Sequence, residues 1–236
     1  NFTFVEAVKS LADRVGMELP EISYSQKEQQ ERDLKTKLLE INKIAATYYY
    51  HQLKSENGQV GLSYLRKRGL TDETINRFGL GYSGQNSKAL YRYLKDKGYD
   101  DDLLKESGLF TYERGINDKF WNRVMFPIMD INNKVIGFGG RVMGDAKPKY
   151  LNSPETKLFD KSRNLYGLNI ARTARKNNLI ICQEYMDVIS MHQAGFNQAV
   201  ASLGTALTPG QARLMKRYTD QVLRTYDSDE AGTKAA

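Results

Sequence analysis

Cysteine is almost missing from this chain: Cys182 is the only one in 236 residues. No intrachain disulfide framework is available, and a lone thiol in an apolar strand reads as core in a reducing compartment. Histidine is nearly as scarce. His51 and His192 stand far apart, with none of the spacing that builds a zinc site. No apolar run approaches the roughly 18 residues needed to cross a bilayer, and no signal-peptide pattern precedes the first helix, so the expectation is a soluble, cytoplasmic protein with no membrane partner. Internal repeats, low-complexity tracts and any Ser-His-Asp or Cys-His grouping are missing too.

What remains is a basic chain, with a formal charge of +7 and 40% hydrophobic residues, long enough for one or two cores. The charge favours an anionic partner. Phe4, Val8, Leu11 and Val15 mark one face of a helix that stops before Pro20. Ser25 and Glu28 have capping-box spacing ahead of a long amphipathic helix over 26–56, read from Leu34, Leu38, Ile41, Ala45 and Tyr48. Thr71 caps a shorter helix ending at Gly79, and another fits 87–97 with Gly98 as its stop. In this helical half, basic residues (Arg66, Arg68, Arg77, Arg92) alternate with Tyr82, Tyr91 and Tyr93, as a single-strand surface would require; the same tyrosines also suit helix packing.

From about Phe120 the pattern changes. Val124–Met129 and Lys134–Phe138 read as strands joined by a turn at 131–133. Gly137-Phe138-Gly139-Gly140-Arg141 lacks Walker spacing, so its glycines predict a bulge or tight turn, with Arg141 within reach of a phosphate. A loop-rich stretch carrying Lys147, Lys149, Lys157 and Lys161 runs to Gly167. Alternation then becomes β-α-β-α-β: strand 179–182, helix 186–193, strand 198–201, helix 209–218, strand 221–226. That spacing predicts a parallel sheet with right-handed crossovers. Because such a sheet would end with exposed edges, Ala236 is expected to be an artificial boundary.

Acidic residues fall at the strand ends, where open parallel sheets place their chemistry. Asp227 and Asp229 are two apart, so in an extended segment both carboxylates point one way and suit a Mg²⁺ ion. The alternative is a solvated turn in which Asp229 caps a helix. Asp187 is either a helix N-terminal carboxylate or an acid facing Asp227.

Beyond these local patterns, several segments carry a resemblance. They are Tyr64–Leu70 (YLRKRGL), Arg123–Ile128 (RVMFPI), Val135–Arg141 (VIGFGGR), Pro148–Thr156 (PKYLNSPET), Leu165–Leu168 (LYGL), Tyr185–Val188 (YMDV), Ala201–Thr205 (ASLGT) and Tyr226–Asp229 (YDSD). In this order they resemble the bacterial replicative (DnaG-type) DNA primases over nearly the whole chain. The resemblance implies an α+β N-terminal subdomain followed by an α/β Toprim domain with a mainly parallel sheet, truncated at its C-terminal end. Residues 1–20 would be a linker after a missing zinc-binding domain, 21–165 the basic subdomain and 166–236 an incomplete metal-binding Toprim subdomain.

The implied activity is metal-assisted nucleotidyl transfer, making short RNA primers on single-stranded DNA from ribonucleoside triphosphates. Mg²⁺ or Mn²⁺ would be the cofactor, with zinc confined to the missing domain. A replicative helicase would be bound through a C-terminal domain that this sequence does not contain.

By resemblance, Gln183, Asp187, Asp227 and Asp229 are the catalytic set, with Asp227, Asp229 and Gln183 at the metal. Arg141, Lys149, Asn152, Lys161, Tyr185 and Asp187 would line the nucleotide site, and Arg66, Arg77 and Arg123 the template face. One position departs. The family reads Glu-Gly-Tyr-Met-Asp where this chain reads Gln183-Glu184-Tyr185-Met186-Asp187. Gln183 is an amide without charge, and Glu184 faces the other way in an extended segment. Two alternatives therefore stay open: another Toprim nuclease or topoisomerase, and a catalytically impaired nucleic-acid-binding module.

Overall fold

The computed structural model describes residues 4–17, 25–113, 115–204 and 207–226. It divides into two compact units, Asn1–Leu34 and Lys35–Ala236.

The first unit contains helix α1 (Phe4–Val15). Its expected apolar face is only partly used, since Leu11 and Val15 are exposed while Ala12 is buried. Helix α2 (Gln26–Lys54) opens on the expected capping box: Ser25 N donates to Glu28 Oε2 at 2.9 Å and Glu28 N to Ser25 Oγ at 3.3 Å. The accepted hydrogen bonds hold the Glu28 carboxyl below its ordinary range.

In the second unit, Leu38, Ile41, Ala45, Tyr49 and Leu53 of α2 are buried at three- and four-residue steps. Helices α3 (Gln59–Lys67), α4 (Asp72–Arg77), α5 (Ala89–Asp96) and α6 (Asp101–Glu106) follow. Thr71 caps α4 as expected, its hydroxyl accepting from Thr74 N. Helices α3 and α6 and one short strand of this half escape local patterning. Helix α3 starts directly after a short 3-10 turn and has no side-chain cap. Strand β1 (Gly81–Tyr82) is two residues long and exists because it pairs with a strand more than forty residues on.

Strands β2 (Phe110–Thr111) and β3 (Asn117–Asp118) form a small hairpin. Strands β4 (Arg123–Met129), β5 (Val135–Val142) and β6 (Tyr150–Asn152) complete an antiparallel sheet of order β1-β4-β5-β6. The glycine-rich segment is therefore not a turn: Gly137–Arg141 lies inside β5, paired with β4 throughout and with β6 from Gly139 on. The register shifts between Ile128 and Met129, opposite which β5 carries one extra residue, Ile136, directly before Gly137. Added Cβ atoms would stand 2.8 Å from Phe120 at Gly140 and 3.2 Å from Phe159 at Gly137, so these glycines seat aromatic rings against the strand.

A second sheet has the order β10-β8-β9-β7. Strand β7 (Leu165–Tyr166) comes from the stretch read as loop. It leads into helix α7 (Leu168–Ala171) and pairs antiparallel with β9 (Ala199–Ser202). Strand β8 (Asn178–Cys182) lies between β9 and β10 (Gln221–Thr225), parallel to both, with helices α8 (Tyr185–Gln193) and α9 (Pro209–Met215) as crossovers. The fold is thus an α+β part followed by an α/β part with a mainly parallel sheet.

The two sheets share one core, in which Leu65, Phe78, Tyr82, Val124 and Phe126 pack in the same cluster as Ile180, Cys182, Tyr185 and Val188. Gln193 at the end of α8 clamps the α3–α4 connection, accepting from Thr71 N at 2.9 Å and donating to Gly69 O at 2.8 Å. The boundary expected at 165/166 falls within this unit and cuts β7. Among the described residues, no helix is long and apolar enough to cross a membrane.

Candidate functional site

Strand β8 ends at Cys182, which is fully buried; burial pushes its thiol pKa up. Gln183 and Glu184 then carry the chain into α8. Glu184 is the extended N-cap residue, and its N–H donates to Asp187 Oδ2 at 2.8 Å. Asp187 therefore satisfies an otherwise orphaned helix N-terminus. The Glu184 carboxylate reaches sideways, Oε1 lying 2.8 Å from Lys149 Nζ.

Tyr185 opens the helix and is buried. Its ring stacks on Phe126, with centroids 5.0 Å apart, and meets Tyr166 edge-on at 4.7 Å. Its hydroxyl donates to Asn152 Oδ1 at 2.6 Å, while Asn152 Nδ2 donates to Leu203 O at 2.8 Å. Asn152 thus ties β6 to the segment leaving β9. Enclosed in this way, Tyr185 has no ring face left for a base; it holds Asn152 in place.

Arg141 sits in β5 opposite Tyr150 of β6. Its guanidinium lies 4.8 Å from the Tyr64 ring centroid and 5.7 Å from that of Tyr150, and Lys149 Nζ lies 5.4 Å from the Tyr150 ring. Burial first, then the nearby Glu184 carboxylate, push the Tyr150 phenol pKa far up. Arg141, Lys149, Asn152 and Tyr185 are thereby gathered where the antiparallel sheet meets the end of β8. Local pattern did not mark Tyr64 and Tyr150 as part of this cluster, although both lie inside the segments of family resemblance.

The other expected residues lie elsewhere. Lys161 begins a 3-10 turn, and its carbonyl accepts from Gln211 Nε2 at 2.9 Å. Arg66 is exposed and pairs with Asp72 at 3.2 Å. Arg77 is exposed in the last turn of α4. Arg123 departs from the expected template contact: it is only 6% exposed, and its Nη1 donates to Gly140 O at 3.1 Å and Pro148 O at 3.0 Å. Asp227, Asp229 and Thr205 lie outside the described residues.

A divalent cation needs hard oxygen donors in convergence. Among the described residues no group of three or more His, Cys, Asp or Glu provides this. Of the residues expected at the metal, Gln183 is the one that lies among the described residues, while neighbouring Glu184 pairs with Lys149 and Asp187 accepts from the Glu184 N–H. Strands β8 and β10 do run parallel and end in register, Cys182 opposite Thr225, so both chains leave the sheet at one edge.

A parallel sheet flanked by crossover helices, abutting an antiparallel sheet that presents Arg141 and Lys149, defines the class: a Toprim-containing catalytic core. Residues 180–236 match the Toprim-like family, and residues 48–172 match the family described as DNA primase catalytic core, N-terminal domain. The chain belongs to the DnaG-type DNA primase catalytic-core family.

It is 48% identical to the DNA primase of Clostridium acetobutylicum over all of this chain and 39% of that protein. The corresponding figures for the DNA primase of Deinococcus radiodurans are 44%, 100% and 40%. A solved DnaG primase catalytic domain bound to single-stranded DNA superimposes with a TM-score of 0.79 at 40% identity, covering 88% of this chain and 65% of that one. The RNA polymerase domain of Mycobacterium tuberculosis primase gives 0.79 at 31% identity, covering 85% and 69%. The chain thus spans about two fifths of the length of the curated relatives it matches.

Proposed function

We propose that this chain is the nucleotide- and template-handling part of a primase, joining ribonucleoside triphosphates into short RNA primers on single-stranded DNA. The supporting observation is the gathering of Arg141, Lys149 and Asn152 at the end of β8, in a chain of the primase family. Arg141, its guanidinium beside the Tyr64 and Tyr150 rings, offers a planar fork of donors that suits phosphate oxygens. Lys149 offers a movable point charge to phosphate, and Asn152 is oriented from both sides by Tyr185 and Leu203.

Asp227, Asp229 and Gln183 are the residues we assign to a divalent cation, which when bound would neutralise triphosphate charge. Arg66 and Arg77, both exposed, are proposed template contacts. Residues 1–20 would then be the linker after a zinc-binding domain, 166–236 part of the Toprim subdomain, and a helicase-binding domain further on would complete a cytoplasmic replication enzyme.

The test is ribonucleotide incorporation on a single-stranded template with Mg²⁺ or Mn²⁺, comparing this chain with its Gln183→Glu and Asp227→Ala variants. Incorporation that Asp227→Ala abolishes supports the reading; incorporation indifferent to Asp227 refutes the metal assignment. The Gln183 amide favours a second reading, a core that binds nucleic acid with little turnover. Gain of activity in Gln183→Glu together with unchanged DNA affinity would select it.

A further inference from the structure

Lys149 and Glu184 face each other across the junction of the two sheets, and both are anchored. The Glu184 backbone is fixed by its bond to Asp187, and the Lys149 carbonyl accepts from Val142 N at 3.0 Å and from Arg123 Nη1 at 3.4 Å. The pair closes at 2.8 Å, with the carboxylate side chain 26% exposed and the lysine side chain 59% exposed. Such a half-exposed pair is a modest one, enough to compete with a ligand and weak enough to open. Arg141 next to it faces rings, whereas Lys149 faces a carboxylate.

We propose that Glu184 is a built-in competitor for the phosphate groups of an incoming nucleoside triphosphate, and so sets the affinity of this site. With the pair closed, an approaching polyanion meets a lysine whose charge is already neutralised. It also meets a carboxylate of its own sign. Binding requires Lys149 to swing from Glu184 to phosphate, a short movement for its four-carbon stem. The stretch preceding α8, where the family pattern carries glycine, thereby becomes a determinant of affinity in this chain. The proposal deepens the reading given above, since it rests on Lys149 meeting the triphosphate.

The experiment measures equilibrium binding of a fluorescent ATP analogue to the 236-residue chain with Mg²⁺ present, by anisotropy, for the parent, Glu184→Gln, Lys149→Ala and the double variant. Glu184→Gln keeps the side chain's shape and the α8 cap while removing the charge. It should tighten Kd by about three- to tenfold at low salt, with the gain shrinking as salt rises. In the Lys149→Ala background the same change should alter Kd less than about twofold, because only the longer-range repulsion remains. Glu184→Gly, which removes the side chain altogether, should tighten binding in the same direction.

If Lys149→Ala weakens binding while both Glu184 variants leave it unchanged or weaker, the competitor role is wrong and the nucleotide reading of Lys149 survives. If Lys149→Ala has no effect, that reading fails and the proposal with it. Weaker Mn²⁺ binding by Glu184→Gln, read by electron paramagnetic resonance, would assign the carboxylate to the cation and overturn the competitor role.

Discussion

Tyr185 fills the space above Gly139: a Cβ built on that glycine would stand 2.4 Å from the ring Cζ and 2.6 Å from the phenol oxygen. The first residue of α8, at the edge of the parallel sheet, thereby rests on the central part of β5 in the antiparallel sheet. The two sheets approach this closely because one side chain is missing.

Gly139→Ala should therefore force the ring to move and strain its bond to Asn152, at a cost of about 1–3 kcal/mol. Urea unfolding should show a lower midpoint with an unchanged slope. Combined with Tyr185→Leu, the loss should be less than the sum of the single losses, since the colliding atoms are those the second change removes.

Asp118 acts at a distance. Its side chain is buried in β3, and its two oxygens accept from Leu90 N at 2.8 Å and Tyr91 N at 3.0 Å, the first-turn amides of α5. Burial raises the carboxyl pKa, and the amide bonds oppose that rise. Asp118→Ala would leave buried donors unpaired, and about 1–3 kcal/mol should be lost for each that finds no water. Circular dichroism should show reduced helix at intermediate denaturant.

Two of the three template arginines expected from sequence, Arg77 and Arg123, should separate by salt dependence. Arg77 is exposed, and Arg77→Ala should flatten the slope of log Kd for single-stranded DNA against log salt by about one. Arg123 is buried with its guanidinium turned to main-chain carbonyls, and burial lowers its pKa. Arg123→Ala should leave that slope unchanged and instead reduce stability by about 1–3 kcal/mol. Faster hydrogen exchange around residues 140–149 would accompany the loss.

His192 predicts a pH effect. It is buried, with Nε2 donating to Ala199 O at 2.8 Å, and Phe78 packs edge-on against its ring at 5.2 Å. Burial chiefly, with a further contribution from Arg77, lowers its pKa below the ordinary 6.5, the bond to Ala199 opposing. Below that value the unfolded chain binds the proton more readily than the folded one. Stability is therefore complete above pH 6.5 and is lost as pH falls toward the folded pKa, by at most about 1.4 kcal/mol per pH unit. The fall in urea midpoint between pH 7.5 and 5.5 should be smaller in His192→Gln than in the parent.

Much of this molecule could be read locally. The caps at Ser25 and Thr71, the apolar stripe of α2, the strand-turn-strand of β4 and β5 and the β-α-β alternation after residue 178 all depend on neighbours within a few positions. The glycines of β5 misled for a physical reason. A turn glycine and a glycine that admits a ring have the same local signature, and the ring of Tyr185 comes from 46 positions further on. Strands β1 and β7 are two residues long and pair with strands far along the chain, so no period reveals them.

At the site, composition established the basic character, and the order of the motifs carried the primase resemblance, on which Gln183 stands where the family pattern has Glu. Which cations remain outward, and which are consumed inside, was a matter of three-dimensional packing. Arg123 and Arg77 are the same residue type in similarly basic surroundings. One is turned inward to carbonyls because β5 and the 148–149 segment close over it, and the other ends an exposed helical turn. Charge is carried by the residue, but its availability depends on what folds against it.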